Sequence, residues 1–225
     1  MGIKTPAIVV NFKVYNEAIG EKGLGLAKVC DEVAHSTGAS IVICPPVTEC
    51  YRFMKEVKIP VWSQSAEAYE PGGQTGHVTL EMLKSVGCVG TLVNHSENRL
   101  RIADIEYLVA KGKKLGIETC VCTNNTPVSA ACGVLEPDFV AVEPPELIGG
   151  DISVTTANPE VVSGTVNAIK KYNPKVKVLT GAGVKNGKDV RKAIELGTDG
   201  VLLASGVVKA KDPKSALLDL VSGLK

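Results

Sequence analysis

A polar run follows an apolar segment near the middle of the chain. Residues 91 to 93 (Thr-Leu-Val) have the composition of a buried strand, and Asn94, His95, Ser96 and Glu97 follow without a linker. An imidazole and a carboxylate at a strand end are groups that can transfer protons. Taken alone, a histidine in this position is more often a partly buried structural residue than a catalyst. The chain has only three histidines, so this one requires an explanation.

Other apolar runs also end in reactive groups. Lys13 follows the first run and supplies a cation, and Glu143 follows the sixth run and supplies a carboxylate. Each has an ordinary alternative explanation, because a lysine is usually a solvated charge and a glutamate can simply end a strand. Together they favour an active site, because the carboxyl ends of all strands converge at one mouth in a closed βα barrel.

Turns of small residues follow the last two runs. Residues 180 to 183 read Thr-Gly-Ala-Gly, and residues 204 to 206 read Ala-Ser-Gly. Small residues let backbone N–H groups approach an anion closely, and a helix N-terminus adds partial positive charge. The loops after strands seven and eight are the recurrent phosphate site of βα barrels. Either turn alone is also compatible with an ordinary tight turn, but the pair favours phosphate binding.

The elements that must position these groups alternate regularly along the chain. Eight short runs rich in β-branched residues are nearly all apolar, which is typical of strands buried on both faces. They are Ala7–Val10, Ser40–Cys44, Val61–Ser63, Gly90–Val93, Ile117–Cys122, Asp138–Val142, Lys175–Leu179 and Gly200–Leu203. Segments with helical apolar spacing separate them, around Leu24–Val33, Thr48–Val57, Leu80–Val86, Ile102–Leu115, Val128–Leu135, Val161–Tyr172, Val190–Leu196 and Pro213–Leu224.

This order predicts a closed (β/α)8 TIM barrel in which residues 1–225 form a single domain. The alternative is an open doubly wound sheet. Eight regular units without an antiparallel strand, a break or a linker favour closure. The chain is slightly short for such a barrel, at 225 residues against about 250 in typical cases.

Composition narrows the function classes. The net charge is +1, with 25 basic and 24 acidic residues spread along the chain, which argues against nucleic acid or a membrane surface as partner. The seven cysteines include no C-x-x-C pair, and the histidines lie in separate segments, so we expect no metal ion and no cofactor. Reduced structural cysteines and the lack of a secretion signal indicate a cytoplasmic protein; a redox or metal role for the cysteines is the alternative.

The motifs resemble those of the triosephosphate isomerase family. They are N-F-K at residues 11–13, N-H-S-E at 94–97, V-E-P-P-E-L-I-G at 142–149 and G-V-L-L-A-S-G at 200–206. The short chain and the E-P-P-E-L-I-G form resemble the compact archaeal branch of that family. The resemblance implies an enzyme that interconverts D-glyceraldehyde 3-phosphate and dihydroxyacetone phosphate through an enediolate, in glycolysis and gluconeogenesis.

The resemblance also implies a role for each matching residue. Glu143 matches the catalytic base that carries a proton between two carbons, and His95 matches the electrophile that polarises the carbonyl. Asn11 and Lys13 match the substrate-binding pair, with Lys13 also catalytic. The other matches are substrate-binding positions on the lid or at the phosphate: Ile148, Gly149, Gly183, Ala204 and Ser205.

The chemistry explains why such residues are needed. Removing a proton alpha to a carbonyl requires a closely placed carboxylate and stabilisation of the enediolate charge. Lys13 supplies a cation, and we expect Glu97 to hold its ammonium; a helix-start carboxylate is the alternative role for Glu97. His95 is most useful as a neutral imidazole. Ser96 and Glu97 predict that a helix begins here, and its positive end would lower the His95 pKa.

The lid departs from the family pattern. The family usually has I-G-T-G at the far end of the lid, whereas this chain has Ile148, Gly149, Gly150 and Asp151. The lid excludes water, because an exposed enediol phosphate tends to expel its phosphate. The extra glycine and the added acid therefore predict altered lid geometry and substrate affinity.

A glycine-rich loop at residues 70–77 predicts an oligomer. In the family the equivalent loop reaches into a neighbouring subunit, and the residue that matches Thr75 lies near the neighbour's site. The resemblance thus implies a homodimer or a homotetramer. A flexible surface loop is the alternative.

Two other functions fit a phosphate-binding barrel. A Schiff-base aldolase needs a lysine at the carboxyl end of a late strand, but Lys175 and Lys177 lie earlier in the predicted seventh strand. A barrel that serves only as a binding or scaffold protein is expected to have lost Lys13, His95 or Glu143. All three are present.

Overall fold

Eight parallel strands form the centre of the structure, a computed structural model that describes residues 2–148, 150 and 153–225. The strands are β1 (Ala7–Asn11), β2 (Ser40–Cys44), β3 (Trp62–Ser63), β4 (Gly90–Val93), β5 (Glu118–Thr123), β6 (Phe139–Val142), β7 (Lys177–Gly181) and β8 (Gly200–Leu203). They pair in the order β2-β1-β8-β7-β6-β5-β4-β3.

Helices connect successive strands and surround the sheet. Among the described residues they are α1 (Gly20–Thr37), α2 (Val47–Glu56), α3 (Leu80–Ser85), α4 (Ile102–Leu115), α5 (Thr126–Gly133), α6 (Val154–Ala157), α7 (Pro159–Tyr172), α8 (Gly187–Glu195), α9 (Ser205–Val208) and α10 (Pro213–Ser222). Short 3-10 turns cover Asn16–Ala18 and Pro145–Leu147. No helix in the described part of the chain is both long and apolar enough to cross a membrane.

The ring of strands closes between β2 and β3, which we call the seam. There a single parallel bridge joins Ile43 to Val61. A side chain supplements it, because Gln64 Nε2 donates hydrogen bonds to the backbone oxygens of Lys13 at 2.7 Å and Cys44 at 3.0 Å. The predicted closed TIM barrel is confirmed, and the Gln64 side chain helps to close it.

The strand interiors read as continuous apolar runs because both faces are buried. One face packs against the helices, and the other fills the barrel. The barrel interior is formed mainly by Val9, Val42, Cys44, Trp62, Leu92, Cys120, Cys122, Phe139, Ala141, Leu179 and Leu202. All seven cysteines are buried free thiols, and Cys120 and Cys122 share the interior face as their spacing predicts.

The seventh strand is displaced from its predicted position. The sequence predicts Lys175–Leu179, whereas the observed strand is Lys177–Gly181. Asn173 Oδ1 accepts the backbone N–H of Lys175 at 3.0 Å, so Lys175 belongs to the preceding turn. Lys177 begins the strand, and its Nζ donates to the backbone oxygen of Ile3 at 2.8 Å. This contact lies at the amino end of the strand, opposite the end where an aldolase lysine is needed.

Two asparagines fix the helices that follow strands at the carboxyl end of the barrel. Asn125 Oδ1 accepts the N–H of Val128 at 3.0 Å and starts α5, and Asn186 Oδ1 accepts the N–H of Asp189 at 3.1 Å and starts α8. These caps determine where the loops after β5 and β7 end. They therefore set the shape of the mouth.

Candidate active site

A cavity at the carboxyl ends of the strands brings together most of the predicted site residues. Its lining includes seven of them: Asn11, Lys13, His95, Glu143, Gly183, Ala204 and Ser205. Glu97 lines an adjoining cavity of about 520 Å³ that shares Asn11, Lys13 and His95. Ile148 is half-buried and does not line either of these cavities. Gly149 and Asp151 lie outside the described residues.

Left-handed backbone turns aim the side chains into the cavity. Lys13 has φ of 50° and Asn94 has φ of 61°, a conformation that is uncommon for residues other than glycine. Asparagine amides stabilise both turns. Asn11 Oδ1 accepts the N–H of Lys13 at 2.9 Å, and Asn94 Oδ1 accepts the N–H of Leu100 at 2.9 Å. Asparagines at the ends of β1 and β4 thus hold the strained turns in place.

Lys13 and Glu97 form the contact that the sequence predicts. Lys13 Nζ donates to Glu97 Oε1 at 2.8 Å. The lysine side chain is largely buried, whereas the glutamate is mostly exposed. A pair with an exposed partner adds little to stability. Its effect is to hold a cation at the mouth, next to His95.

The hydrogen bonds of His95 assign its neutral tautomer. The backbone N–H of Glu97 donates to His95 Nδ1 at 3.2 Å, so Nδ1 is the acceptor and Nε2 carries the proton. Burial lowers the His95 pKa, and the positive charges of Lys13 and Arg99 lower it further, against the opposing charge of Glu97. A neutral imidazole therefore presents Nε2–H to the cavity.

The predicted helix at Ser96 is wrong. Residues 95 to 98 form a turn closed by the Asn98 N–H, which donates to the His95 backbone oxygen at 2.8 Å, and α4 begins only at Ile102. The left-handed conformation of Asn94, and the hydrogen bond that its Oδ1 accepts from the Leu100 N–H, favour this turn over a helix. The lowered His95 pKa follows from burial and nearby cations.

Glu143 is the most unusual group in the cavity. It follows β6 and is only 7% exposed, and Oε2 has no hydrogen-bond partner among the described residues. His95 Nε2 lies 3.7 Å from that oxygen. Burial raises the Glu143 pKa to about 7, while the hydrogen bond from the Cys122 thiol and the charge of Lys13 act in the opposite direction. An unpaired buried carboxylate oxygen is costly, and such groups cluster at functional sites.

Gly181 provides the space that Glu143 occupies. A Cβ at this position would lie 2.7 Å from Glu143 Oε1 and 2.6 Å from the backbone oxygen of Leu202. Any side chain would therefore displace either the carboxylate or the neighbouring strand. The glycine at the end of β7 thus has a role besides forming a turn.

Backbone groups of two loops form the other end of the cavity. After β7, Ala182 and Gly183 adopt φ of 74° and 71°. After β8, α9 begins directly at Ser205. The first N–H groups of a helix have no partner within the helix. The sequence predicts the anion-binding site at this end of the cavity. A Cβ on Gly206 would lie 3.1 Å from the Val184 oxygen, so the two loops pack closely there.

Several residues of the site escaped the sequence reasoning. Tyr15 and Lys185 also line the cavity, and so does Gly150, which the sequence places on the lid. Arg99 Nη1 donates to the backbone oxygen of Asn94 at 3.3 Å and supports the turn before His95. The signal for Arg99 was its place at the end of the polar run that starts at Asn94, and Lys185 directly follows the small-residue turn after β7.

The glycine-rich loop has a fixed base and an exposed tip. His77 Nδ1 lies 2.9 Å from Glu67 Oε1, and the ring stacks on Tyr69 with centroids 3.9 Å apart. Thr75 at the tip is exposed, and so is Val14 beside Lys13. No group of three or more histidine, cysteine, aspartate or glutamate residues in the described ranges is arranged to hold a metal ion.

Comparison with known proteins identifies relatives over nearly the whole chain. The family model described as triosephosphate isomerase matches residues 6–223. A protein named triosephosphate isomerase from Methanocaldococcus jannaschii is 51% identical over 214 residues, covering 95% of this chain and 98% of its own. Relatives of the same name from Methanosarcina barkeri and Methanothermus fervidus are 50% and 51% identical, covering 96% of this chain and 97% and 98% of theirs.

Proposed function

The chain belongs to the triosephosphate isomerase family, as the motifs predicted, and we propose that Glu143, His95 and Lys13 carry out the isomerisation at the barrel mouth. It is an aldose–ketose isomerase acting on triose phosphates, and this isomerisation is a reaction of glycolysis and gluconeogenesis. The observation that carries the assignment of roles is Glu143 Oε2, which has no hydrogen-bond partner in the described part of the chain and faces His95 Nε2 across 3.7 Å.

The geometry supports one division of labour. Glu143 removes the proton from the carbon next to the carbonyl, and its raised pKa makes it a stronger base than an exposed carboxylate. His95 donates Nε2–H to the carbonyl oxygen and passes protons between the two enediolate oxygens. Lys13 stabilises the negative charge that develops on them. Glu143 then returns the proton to the adjacent carbon.

The remaining residues bind the substrate. Asn11 is placed to contact it beside Lys13, and the backbone at Gly183, Ala204 and Ser205 supports a phosphate at the other end of the cavity. Ile148 and Gly149 remain proposed lid residues. Gly150 already lines the cavity, which supports the position of the lid over the phosphate.

Turnover of glyceraldehyde 3-phosphate by the pure protein tests the proposal, with Glu143→Gln measured alongside. We expect the variant to lose about 10²- to 10⁴-fold in kcat, since that is the range for a general base. Inorganic phosphate should inhibit the parent and should still protect the variant against thermal unfolding. A variant with parental turnover would remove Glu143 from the mechanism.

We further propose a homodimer or homotetramer of single-domain subunits, each formed by residues 1–225, that works in the cytoplasm. The exposed tip at Thr75 on a fixed base, and the open cavity beside Lys13 and Val14, support an intersubunit contact there. Sedimentation at micromolar concentration tests it, with Val14→Glu as the disruptive variant. A mass matching one chain in the parent would contradict the proposal.

A further inference from the structure

We propose that a second cavity, at the amino end of the barrel, binds a small amphipathic anion: a carboxylate with an apolar body. The cavity measures about 750 Å³, which lies in the range of about 300–1,000 Å³ that is usual for small-molecule sites. Among the described residues, none lines both this cavity and the one that contains His95. The inference therefore concerns a separate site and does not depend on the proposed function.

Several parts of the chain meet around this cavity. Residues 2–6, 37–40 and 58–60 lead into β1, β2 and β3, and the rest of the described lining is Met54, Val89, Val221, Leu224 and Lys225. Segments that lead into parallel strands lie at the amino end of a barrel, opposite the mouth that carries the chemistry. A ligand here would leave the catalytic cavity free.

Hydrogen bonds fix two walls of the cavity. The backbone N–H of Ile3 donates to Glu118 Oε1 at 2.9 Å. Asp31 Oδ1 accepts the backbone N–H groups of Lys58 and Ile59 at 2.9 and 3.0 Å. Both carboxylates are thus engaged by backbone donors, and both walls are held in place without a ligand. Small-molecule sites are usually preformed in this way.

The cavity exposes apolar side chains. Val89 is 39% exposed, and Met54 and Leu224 are half-buried. Ile59 is buried and lines the same cavity. Partly exposed apolar groups that line a concave site offer a surface on which the apolar body of a ligand can be buried.

Positive charge surrounds this apolar surface. Lys4, Lys58 and Lys225 line the cavity and are exposed, and the described part of the lining includes no aspartate or glutamate. The Lys225 backbone oxygen accepts a hydrogen bond from Arg191 Nη1 at 3.0 Å, so this oxygen already has a cationic partner. An apolar cavity with lysines around it is complementary to an apolar molecule that carries one carboxylate. Because the lysines are solvated, we expect the carboxylate to add about tenfold in affinity over a neutral alcohol of equal length.

The first test titrates octanoate and 1-octanol into the full chain, labelled at isoleucine, leucine and valine methyl groups, and follows NMR chemical shifts. Octanoate should shift the signals of Ile59, Val89 and Leu224 saturably, with a Kd about tenfold below that of 1-octanol. The signals of Val184 and Leu203, which line the catalytic cavity, should not move. Equal affinities for the two compounds, shifts confined to the catalytic cavity, or no saturable shift would each overturn the proposal.

A matched pair of double variants tests the role of the lysines. Lys4→Gln with Lys58→Gln removes two charges from the lining, whereas Lys22→Gln with Lys55→Gln removes two exposed charges outside it. We expect the first variant to bind octanoate about tenfold more weakly than the parent, and the second to bind it as the parent does. The difference should shrink at high ionic strength.

An equal loss of octanoate affinity in both variants, or no loss in the first, would overturn the proposal. Affinity for 1-octanol should be the same in the parent and both variants, which shows that the apolar surface is intact. Binding is measured without turnover, so these outcomes are independent of those that test the proposed function.

Discussion

Removing the charge of Glu143 is expected to stabilise the fold while it greatly slows turnover. The carboxyl titrates at about 4.5 when unfolded and at about 7 in the folded protein, because burial penalises its ionised form. Below pH 4.5 both states are protonated and burial costs nothing extra. Above pH 7 both are ionised, and the folded state bears the full penalty. Stability from this group is therefore lost as pH rises from 4.5 to 7.

The magnitude follows from that window. Each pH unit corresponds to about 1.4 kcal/mol, so the ionised side chain lowers the free energy of unfolding by about 3 kcal/mol at pH 8. Glu143→Gln removes the charge and keeps the shape. We expect the free energy of unfolding of the variant to exceed that of the parent by an amount that grows by about 1.4 kcal/mol per pH unit between 4.5 and 7. Above pH 7 the difference should stay constant.

Urea unfolding of both proteins between pH 5 and 8.5 measures this difference. The two samples need equal protein concentrations, because any oligomer couples stability to concentration. Glu146→Gln is a matched control, since Glu146 lies three residues further along and is exposed. A stability difference for Glu143→Gln that does not vary with pH would refute the reasoning. So would an equal pH dependence in the control.

Three other predictions concern the same carboxylate. Gly181→Ala should place a methyl group against Glu143 and cost about 1–3 kcal/mol in stability and about 100-fold in kcat, as measured by thermal unfolding and steady-state kinetics. The control is Gly25→Ala, on the exposed face of α1 with open space around it. It should leave kcat unchanged and have a neutral or stabilising effect on the fold. The kcat/KM of the parent should fall about tenfold per unit below pH 7 as Glu143 is protonated. Cys122→Ala removes a hydrogen bond that lowers the Glu143 pKa, so this acid limb should move to higher pH; an unmoved limb would show that the thiol does not act on the carboxylate.

Periodicity revealed the barrel because its strands carry a strong signal. Runs buried on both faces stand out from the amphipathic helices between them. The residues at which strands and helices begin and end were harder to predict from the sequence. β7 begins at Lys177 because the backbone N–H of Lys175 donates a hydrogen bond to Asn173 Oδ1 and turns the chain there. Such a hydrogen bond depends on local geometry that apolar spacing does not encode. The short α6 and α9 were not predicted, since four residues are too few to show a helical period.

The candidate site was predictable where chemically reactive residue types lie directly after strands. An imidazole, an ammonium and a carboxylate at strand ends converge in any closed barrel, and the contact between Lys13 and Glu97 followed from charge. The helix at Ser96 was wrong because the Asn94 side chain competes for backbone groups over six residues. Lys185 was missed because a surface lysine has no pattern of its own. Only the packing of its loop against α9 gives it a place in the cavity.

The seam between β2 and β3 determines where aggregation of this protein is expected to begin. Every other pair of neighbouring strands has at least two residue pairs in register, but here one backbone bridge and the Gln64 amide close the ring. Opening the seam leaves the other pairings intact and converts a cylinder without edges into a sheet with two. One new edge is β2, with the sequence Ser-Ile-Val-Ile-Cys, which is apolar and uncharged. Such an edge is a template for strand addition from another chain, so aggregation on heating is expected to begin at residues 40–44.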